Sequence, residues 1–244
     1  MFLRNRDFDF ATDALFLDFD GTLVDLALQP DGVVLPVGLI ALLSRLQQSI
    51  GGALAVVSGR PLSQLDHYLT PLRFAAAGVH GLERRDAQGE VIALPVPDTA
   101  ELLQQLKPLV ECYPGLLLER KYGALALHYR KAPDLQQTCI DAMQHALSQV
   151  SGFTLLRGKM VLEAKAAIAD KGGAVAAFMA EAPFFGRRPW FIGDDMTDEA
   201  GFSRVQESGG IGVKIGVGSS QAQRRLESPA ALLAWLSGLN ASTR

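Results

Sequence analysis

Two carboxylates stand two residues apart just beyond the first strongly apolar run of the chain. Asp18 and Asp20 follow the segment 14–17, Ala-Leu-Phe-Leu, and are followed by Gly21 and Thr22. Side chains two residues apart in an extended backbone project the same way, and close carboxylates repel each other unless a cation or a proton intervenes. The pair therefore indicates a cation or proton site, although aspartates that only cap the amides of a turn would give the same pattern.

A second group of acids follows another apolar run. Residues 190–192, Trp-Phe-Ile, lead through Gly193 into Asp194 and Asp195, and a third acid, Asp198, comes soon after. So many carboxylates need a counter-charge, because their mutual repulsion is unfavourable. Magnesium suits such a site, since it prefers oxygen ligands, keeps several waters and takes a phosphate oxygen of a substrate. The two groups together predict a Mg²⁺ site, with capping of the following helix as an alternative use of the last acid.

A hydroxyl and an amine lie between the two acidic groups in the sequence. Ser58 follows the apolar run 53–57, and Lys171 opens a helical pattern. A hydrogen-bond donor and a point positive charge are what a phosphoryl group needs. Either residue alone would be an ordinary turn serine or a solvated lysine. Their order between the acids, each after a strand or at a helix start, predicts phosphoryl chemistry.

Alternating strands and helices position these residues. Apolar runs predict strands at 14–17, 53–57, 74–77, 190–192 and 211–215, and helical spacing predicts helices at 39–48, 171–181 and 229–236. Strands that are apolar throughout and alternate with helices indicate an α/β fold with a doubly wound parallel sheet. Ligands of such sheets bind beyond the carboxyl ends of the strands, which is where the acids and Ser58 stand.

The middle of the chain has a different order of elements. Its pattern predicts helices at 99–112 and 135–150, and strands at 116–118, 124–129, 153–156 and 160–164. This α-β-β-α-β-β order favours antiparallel pairing inside an otherwise parallel protein. We therefore predict an inserted α+β module at 96–166, with the α/β core formed by 1–95 and 167–244.

The four motifs resemble those of the haloacid-dehalogenase-like (HAD) phosphatases. The matching segments are 18–22 (Asp-Phe-Asp-Gly-Thr), Ser58, Lys171 and 193–195 (Gly-Asp-Asp). The resemblance implies an HAD-like core and an aspartyl-phosphate mechanism. In it Asp18 is the nucleophile and Asp20 the general acid and base, and Ser58 and Lys171 complete the catalytic set. The implied metal ligands are Asp18, Asp194 and the backbone carbonyl of Asp20, with Asp195 and Asp198 as supporting or alternate ligands.

Further motifs narrow the resemblance to the trehalose-6-phosphate phosphatases. The matches are 79–85 (Val-His-Gly-Leu-Glu-Arg-Arg), 127–130 (Leu-His-Tyr-Arg), 158–165 and 193–199, so the similarity spans essentially the whole chain. It implies that the inserted module is a cap that sets specificity, and that the reaction releases trehalose and phosphate as the last step of trehalose biosynthesis. The implied substrate contacts are Thr22, Gly59, Arg60, Lys121, Arg130, Lys159 and Glu163. For Arg130 and Lys159 a solvated face is an equal alternative, and His80 is expected to be structural.

Competing functions stay open at this point. Another sugar phosphatase of the same superfamily, acting on sucrose phosphate or a mannosyl phosphate, would share the core motifs and differ only in the cap. A two-component receiver domain also places acids, a hydroxyl and a lysine around a parallel sheet, but its motifs come in another order and it needs no cap of this size. A dinucleotide-binding domain is weaker, because no Gly-x-Gly-x-x-Gly follows the first strand.

Composition restricts the partners. A net charge of −3 and a pI ≈ 5.8 give no indication of a nucleic-acid-binding surface. No run approaches the roughly 18 apolar residues that cross a bilayer, and residues 1–12 lack the apolar core of a signal peptide. Cys112 and Cys139, the two cysteines, are expected to be reduced thiols. We therefore expect a cytoplasmic monomer that binds Mg²⁺ and a small-molecule substrate, with no nucleic acid or membrane partner.

Overall fold

The computed structural model describes residues 3, 7–27, 32–158, 160–168 and 170–241. The chain divides into two compact units, the first made of Met1–Ala93 with Asp170–Arg244 and the second of Leu94–Ala169. Each has a hydrophobic core of its own. The two are named unit 1 and unit 2 here.

Within the described residues the chain forms twelve strands and seven α-helices. The strands are β1 (Asp13–Leu17), β2 (Leu54–Val57), β3 (Ala75–Gly78), β4 (Glu83–Arg85), β5 (Val91–Ala93), β6 (Leu117–Lys121), β7 (Ala124–His128), β8 (Phe153–Gly158), β9 (Val161–Ala166), β10 (Arg188–Gly193), β11 (Ile211–Ile215) and β12 (Arg224–Leu226). The helices are α1 (Leu39–Ser49), α2 (Leu62–Leu69), α3 (Ala100–Cys112), α4 (Gln136–Gln149), α5 (Lys171–Met179), α6 (Glu199–Glu207) and α7 (Pro229–Ala241). None of these helices combines the length and the apolar character that a membrane span requires.

Unit 1 is built on an eight-stranded sheet in the order β12-β11-β10-β1-β2-β3-β4-β5. Neighbours from β12 to β3 run parallel, whereas β3, β4 and β5 pair antiparallel. β1, β2 and β3 are buried along their whole length, which explains why they are apolar except at Asp13. Helix α1 packs against α7, and α5 against α6. A parallel sheet covered by helices confirms the predicted α/β fold class.

Three strands of unit 1, β4, β5 and β12, were not predicted from the sequence. Each is three residues long: β4 is Glu-Arg-Arg, β12 is Arg-Arg-Leu, and β5 is exposed at every position. β5 and β12 form the two edges of the sheet, and β4 lies next to β5. β4 and β12 are mainly polar, so the hydrophobic pattern gives no signal for them, whereas the short run Val-Ile-Ala of β5 was overlooked although it is apolar.

Unit 2 contains a four-stranded antiparallel sheet in the order β6-β7-β9-β8. Alternate residues of β7 and β9 enter its core together with helix α4: Leu125, Leu127, Leu162, Ala164 and Met143. Residues between them along each strand point to the opposite face, because side chains alternate along a strand. The observed order α3-β6-β7-α4-β8-β9 is the predicted α-β-β-α-β-β order.

A fully buried acid anchors the amino end of β1. Asp13 accepts hydrogen bonds from Nε and Nη2 of Arg188 at 2.8 Å each, from Trp190 Nε1 at 3.0 Å and from the Asp9 amide at 2.9 Å. Arg188 and Trp190 belong to β10, the parallel neighbour of β1. A carboxylate that is 0% exposed is stable only with such partners. The network therefore ties β1 to β10.

Replacing this acid by alanine (Asp13→Ala) should destabilise unit 1. The change removes the acceptor of two Arg188 N–H groups and of the Trp190 indole, so we expect a loss of about 2–4 kcal/mol of unfolding free energy. Urea unfolding followed by tryptophan fluorescence measures it, because both tryptophans, Trp190 and Trp235, lie in unit 1. Glu90→Ala, at an exposed acid, is the control and should change stability by less than about 0.5 kcal/mol. Equal urea midpoints for both variants would contradict the expectation.

Candidate active site

The acids of the two sequence groups meet at one edge of the unit 1 sheet. β1 and β10 are parallel neighbours, and Asp18 follows β1 as Asp194 follows β10. The Asp18 amide donates to the carbonyl oxygen of Ile192 at 2.9 Å, which continues the pairing beyond the end of β1. The strand order therefore places the two carboxylates side by side.

Three carboxylates form a compact cluster at this edge. Asp18, Asp194 and Asp198 each offer an oxygen atom, and these oxygens lie within 4.8 Å of one another. Asp18 and Asp198 are buried, and Asp194 is half-buried. Thr22 Oγ1 lies 3.4 Å from both Asp18 Oδ2 and Asp194 Oδ1, so its single hydrogen is shared between the two carboxylates. Oxygen atoms gathered in this way could hold a hard divalent cation.

One ammonium group bridges the cluster. Lys171 is 2% exposed, and its Nζ donates to Asp18 Oδ1 at 2.7 Å and to Asp198 Oδ1 at 2.6 Å. Burial alone would lower the pKa of Lys171, but the attraction of Asp18 and Asp198 raises it above its ordinary value. Lys171 is the first residue of α5, whose start is fixed by Asp170 Oδ1 accepting from the Gly173 amide at 2.7 Å. The lysine is therefore a fixed cation.

Lys171 alone does not balance the negative charge of the cluster. Burial raises the pKa of Asp18 and of Asp194 to about 6, and that of Asp198 to about 8, in each case against the opposing attraction of Lys171. Neighbouring carboxylates add to each rise. A bound divalent cation would favour the charged forms and lower these pKa values. The donor set and its charge thus fit a metal ion.

Asp195 takes part in a turn rather than in the cluster. Its Oδ1 accepts from the Thr197 amide at 2.8 Å and from the Thr197 hydroxyl at 2.7 Å, so it caps the 3₁₀ turn Met196–Asp198. Asp198 Oδ2 accepts in return from the Asp195 amide at 2.9 Å. Burial would raise the pKa of Asp195, but Lys171 and the Thr197 hydrogen bonds lower it below its ordinary value. Asp195 therefore caps this turn, whereas Asp198, which the sequence had suggested as a helix cap, makes no side-chain capping hydrogen bond at the start of α6.

Asp20 is held by Arg60. Arg60 Nε donates to Asp20 Oδ2 at 2.6 Å and Nη2 donates to Asp20 Oδ1 at 2.8 Å, a two-pronged ion pair. Arg60 Nη1 also donates to Gln64 Oε1 at 3.1 Å, and its guanidinium carbon lies 5.2 Å from the centre of the Tyr68 ring. The sequence predicted Arg60 as a substrate contact and Asp20 as an acid and base. In the structure these two side chains bind each other.

Ser58 and Gly59 form a turn beside the cluster. Ser58 is buried, and its Oγ accepts from the Arg60 amide at 3.1 Å. The His80 ring lies against Gly59, since a Cβ at that position would come within 2.8 Å of the His80 Cε1 and Nε2 atoms. The His80 amide donates to the Ser58 carbonyl oxygen at 2.9 Å. A side chain at position 59 would therefore collide with the His80 ring, which accounts for the glycine. The structural role expected for His80 stays a prediction.

The outer face of the unit 2 sheet carries a charged cluster. Lys121 Nζ donates to Glu163 Oε2 at 3.0 Å and lies 3.8 Å from Glu119 Oε2. His128 Nε2 lies 2.8 Å from the same Glu119 oxygen. The structure thus brings together Lys121 and Glu163, which the sequence named as substrate contacts. It adds Glu119, two residues before Lys121 on β6, and His128, two residues after Ala126 on β7. Side chains two residues apart on a strand share a face, so this spacing could have indicated the cluster.

Two further residues of unit 2, Arg130 and Lys159, were named as substrate contacts from the sequence. Arg130 is exposed beyond the end of β7. Lys159 lies outside the described residues. Their predicted contacts with substrate stay predictions.

A buried lysine near the acids was not predicted. Lys214, on β11, is 5% exposed, and its Nζ donates to the backbone carbonyl oxygen of Asp194. The signal was a single charged residue inside the apolar strand Ile-Gly-Val-Lys-Ile. A charge in such a strand needs a partner, which is the argument that would have found it.

Comparison with known proteins decides the family. The family model described as trehalose-phosphatase matches residues 16–232. The trehalose-6-phosphate phosphatase of Escherichia coli (strain K12) is 44% identical over 225 residues, which cover 91% of this chain and 85% of that protein. The chain belongs to the trehalose-phosphatase family. This confirms the resemblance identified from the motifs.

Solved structures show the same fold. The C-terminal domain of the C. albicans trehalose-6-phosphate phosphatase matches with a TM-score of 0.79 at 22% identity, over 94% of this chain and 92% of that one. A phosphatase of the HAD superfamily from Bacteroides thetaiotaomicron matches with a TM-score of 0.64 at 16% identity, over 94% and 96% of the two chains. The predicted HAD-like fold class is thereby confirmed.

The Asp194 carboxylate occupies space that a side chain at position 21 would fill, so it requires the glycine there. A Cβ at Gly21 would lie 2.2 Å from Asp194 Oδ2, so Gly21→Ala should displace Asp194 from the cluster. We expect divalent-cation affinity and phosphatase activity to fall by about tenfold or more. Gly209 has the same φ of +75° with nothing within 4 Å of an added Cβ, so Gly209→Ala is a control for backbone strain alone. Titration calorimetry with Mg²⁺ measures both variants, and equal affinities would refute the displacement.

Proposed function

We propose that this protein hydrolyses trehalose 6-phosphate to trehalose and inorganic phosphate, through a phosphoryl group carried on Asp18. The observation behind the proposal is the buried contact of Asp18 with Lys171 beside Asp194, in a chain of the trehalose-phosphatase family. A carboxylate nucleophile splits a difficult hydrolysis into two easier steps. The relative from Escherichia coli supports trehalose 6-phosphate as the substrate.

We assign the metal site to Mg²⁺. Asp18, Asp194 and the backbone carbonyl of Asp20 are the proposed ligands. Asp198 is a supporting residue, because its Oδ1 already accepts from Lys171 and its Oδ2 from the amides of Asp194 and Asp195. Asp195 supports the turn, and the ion when bound would neutralise part of the charge on the phosphoryl oxygens.

Asp18 acts in the first step. One of its carboxylate oxygens attacks phosphorus in line, and the bond between phosphorus and the sugar oxygen breaks. Asp20, protonated at this stage, gives its proton to the departing sugar oxygen, so that trehalose leaves as a neutral alcohol. Lys171 stabilises the charge that develops on the phosphoryl oxygens. Ser58 and Thr22 donate hydrogen bonds to the same oxygens.

Asp20 acts again in the second step. As a carboxylate it takes a proton from a water molecule, whose oxygen attacks the phosphorus of the acyl phosphate. The bond between phosphorus and Asp18 breaks, inorganic phosphate leaves, and Asp18 is restored as a carboxylate. Water and the phosphate ester are the only reactants consumed.

Arg60 holds the Asp20 side chain in one position. Nε and Nη2 of Arg60 donate to the two Asp20 carboxyl oxygens, and we assign this arrangement to the second step. In the first step Asp20 turns away from Arg60, towards the leaving oxygen. The guanidinium then has two N–H groups to donate to phosphate oxygens. In this proposal Arg60 pairs with Asp20 in one step and contacts the substrate, as the sequence predicted, in the other.

Unit 2 supplies the contacts that distinguish one sugar phosphate from another. Lys121 and Glu163 are the proposed contacts to the glucose unit that carries no phosphate, with Glu119 beside them. Binding energy from this remote part of the substrate helps to position the phosphate for attack. A small phosphate ester without a second sugar would not use these contacts.

Phosphate release from trehalose 6-phosphate, a sucrose phosphate and a mannosyl phosphate tests the proposal. We expect the highest kcat/KM for trehalose 6-phosphate, no turnover in excess chelator, and recovery with Mg²⁺. Asp18→Asn keeps the size of the side chain but cannot form an acyl phosphate, so turnover should fall by at least about 10³-fold with unchanged tryptophan fluorescence. Preference for another sugar phosphate, or near wild-type turnover by Asp18→Asn, would overturn it.

Specificity is tested by Lys121→Ala and Glu163→Ala. Each removes a charged hydrogen-bonding group, so kcat/KM for trehalose 6-phosphate should fall about ten- to a hundredfold. The kcat/KM for para-nitrophenyl phosphate should change much less. Lys107→Ala is the control, because it removes an exposed lysine of α3, which lies outside the charged cluster. Equal losses on both substrates would show that Lys121 and Glu163 serve the structure of unit 2 instead.

A further inference from the structure

Lys214 is a buried charge that the proposed mechanism does not use. It lies in β11 between Val213 and Ile215, which are 0% and 3% exposed. In the parallel pairing with β10, Lys214 is the partner of Gly193, the residue before Asp194. Burial of an ammonium group among apolar side chains is unfavourable unless polar groups compensate it. The compensation here is the Asp194 carbonyl oxygen, which accepts from Lys214 Nζ.

Both peptide groups of Asp194 are held by charged side chains. Its amide donates to Asp198 Oδ2 at 2.8 Å, and its carbonyl oxygen accepts from Lys214. These two partners come from different elements, the turn after β10 and the strand β11. The Asp194 carboxylate, in turn, fills the space left by Gly21 and accepts from the Thr22 hydroxyl. A residue fixed at its amide, its carbonyl and its carboxylate has little freedom to rotate.

We infer that Lys214 is a positioning residue that aims the Asp194 carboxylate at Asp18 and so builds the metal site. Without Lys214, the carbonyl oxygen of Asp194 loses the ammonium donor that β11 supplies, and the peptide after Asp194 can rotate. Rotation there carries the carboxylate away from Asp18. The inference rests on the proposed function, because it takes Asp194 as a ligand of Mg²⁺.

The positive charge of Lys214, taken alone, would weaken Mg²⁺ binding, whereas positioning of Asp194 would strengthen it. A lysine close to Asp194 repels a divalent cation, and its charge acts on the Asp194 carboxylate. If Lys214 acted through its charge alone, its removal would strengthen Mg²⁺ binding. If it acts by positioning, its removal weakens binding. The sign of the change in affinity therefore separates the two roles.

The test is Lys214→Met, which keeps most of the side-chain length and removes the donor. We expect the Mg²⁺ dissociation constant, measured by titration calorimetry, to rise about 10- to 100-fold. Loss of a residue that holds a metal ligand in position by a hydrogen bond typically has an effect of this size. The kcat for trehalose 6-phosphate should fall with it at moderate Mg²⁺ and recover in part at high Mg²⁺. Lys214→Gln removes the charge but keeps a donor, so its Mg²⁺ affinity should exceed that of Lys214→Met. Val213→Ala controls for destabilisation of β11.

Hydrogen exchange of the peptide 193–198 in metal-free protein provides a second readout. It should be faster in Lys214→Met than in wild type and in Val213→Ala, because the Asp194 peptide is released. If Lys214→Met does not fold, the Mg²⁺ affinity and the hydrogen exchange of Lys214→Gln, each compared with wild type, carry the test. Tighter or unchanged Mg²⁺ binding in both lysine variants would overturn the inference. A wild type that binds no Mg²⁺ would instead refute the proposed function, and unchanged exchange would still refute the positioning role.

Discussion

The contact of one buried ammonium group with two buried carboxylates is the interaction on which the rest of the site depends. Lys171 needs anionic partners because it is almost without solvent, and Asp18 and Asp198 need a cation for the same reason. Removing either side would leave an uncompensated buried charge. The start of α5 is therefore fixed against the end of β1 and against the turn after β10. A charged site is present in unit 1 before any substrate binds.

Asp198 explains why Asp194 is the acid left to hold a cation. One Asp198 oxygen accepts from Lys171, and the other accepts from the amides of Asp194 and Asp195. Asp195 in turn caps the same turn through Thr197. Two of the three acids in this motif are thus occupied with structure. The third acid, Asp194, extends over Gly21 towards Asp18. Its carboxylate is available there because the amides of the turn already donate to Asp195 and Asp198.

The sequence predicted those parts of the molecule in which a chemically distinctive residue directly follows an apolar strand. Asp18 and Asp194 each follow such a strand, so the pattern identified both the sheet and the acids at its edge. Strands β4 and β12 were missed because they are short and mainly polar, and β5, an exposed Val-Ile-Ala run, was overlooked despite its apolar residues. The pairing of Arg60 with Asp20 was missed, since only the neighbouring positions of β1 and β2 bring these residues together. Lys214 was missed although its charge inside the apolar strand β11 was a signal, and its partner, a backbone carbonyl oxygen, could not be identified from residue types.

The charged face of unit 2 suits a neutral sugar for a physical reason. Lys121 and Glu163 are partly exposed, and an ion pair of this kind contributes only about 0–1 kcal/mol. A sugar hydroxyl can accept from the ammonium group and donate to the carboxylate, so it can enter between them without leaving either charge unpaired. Ala126, a small residue, is the strand partner of both Glu119 and Glu163 and lies between the two acids. In the proposed complex, opening this weak ion pair would let sugar hydroxyl groups bind to both charges, at little energetic cost to unit 2 without ligand.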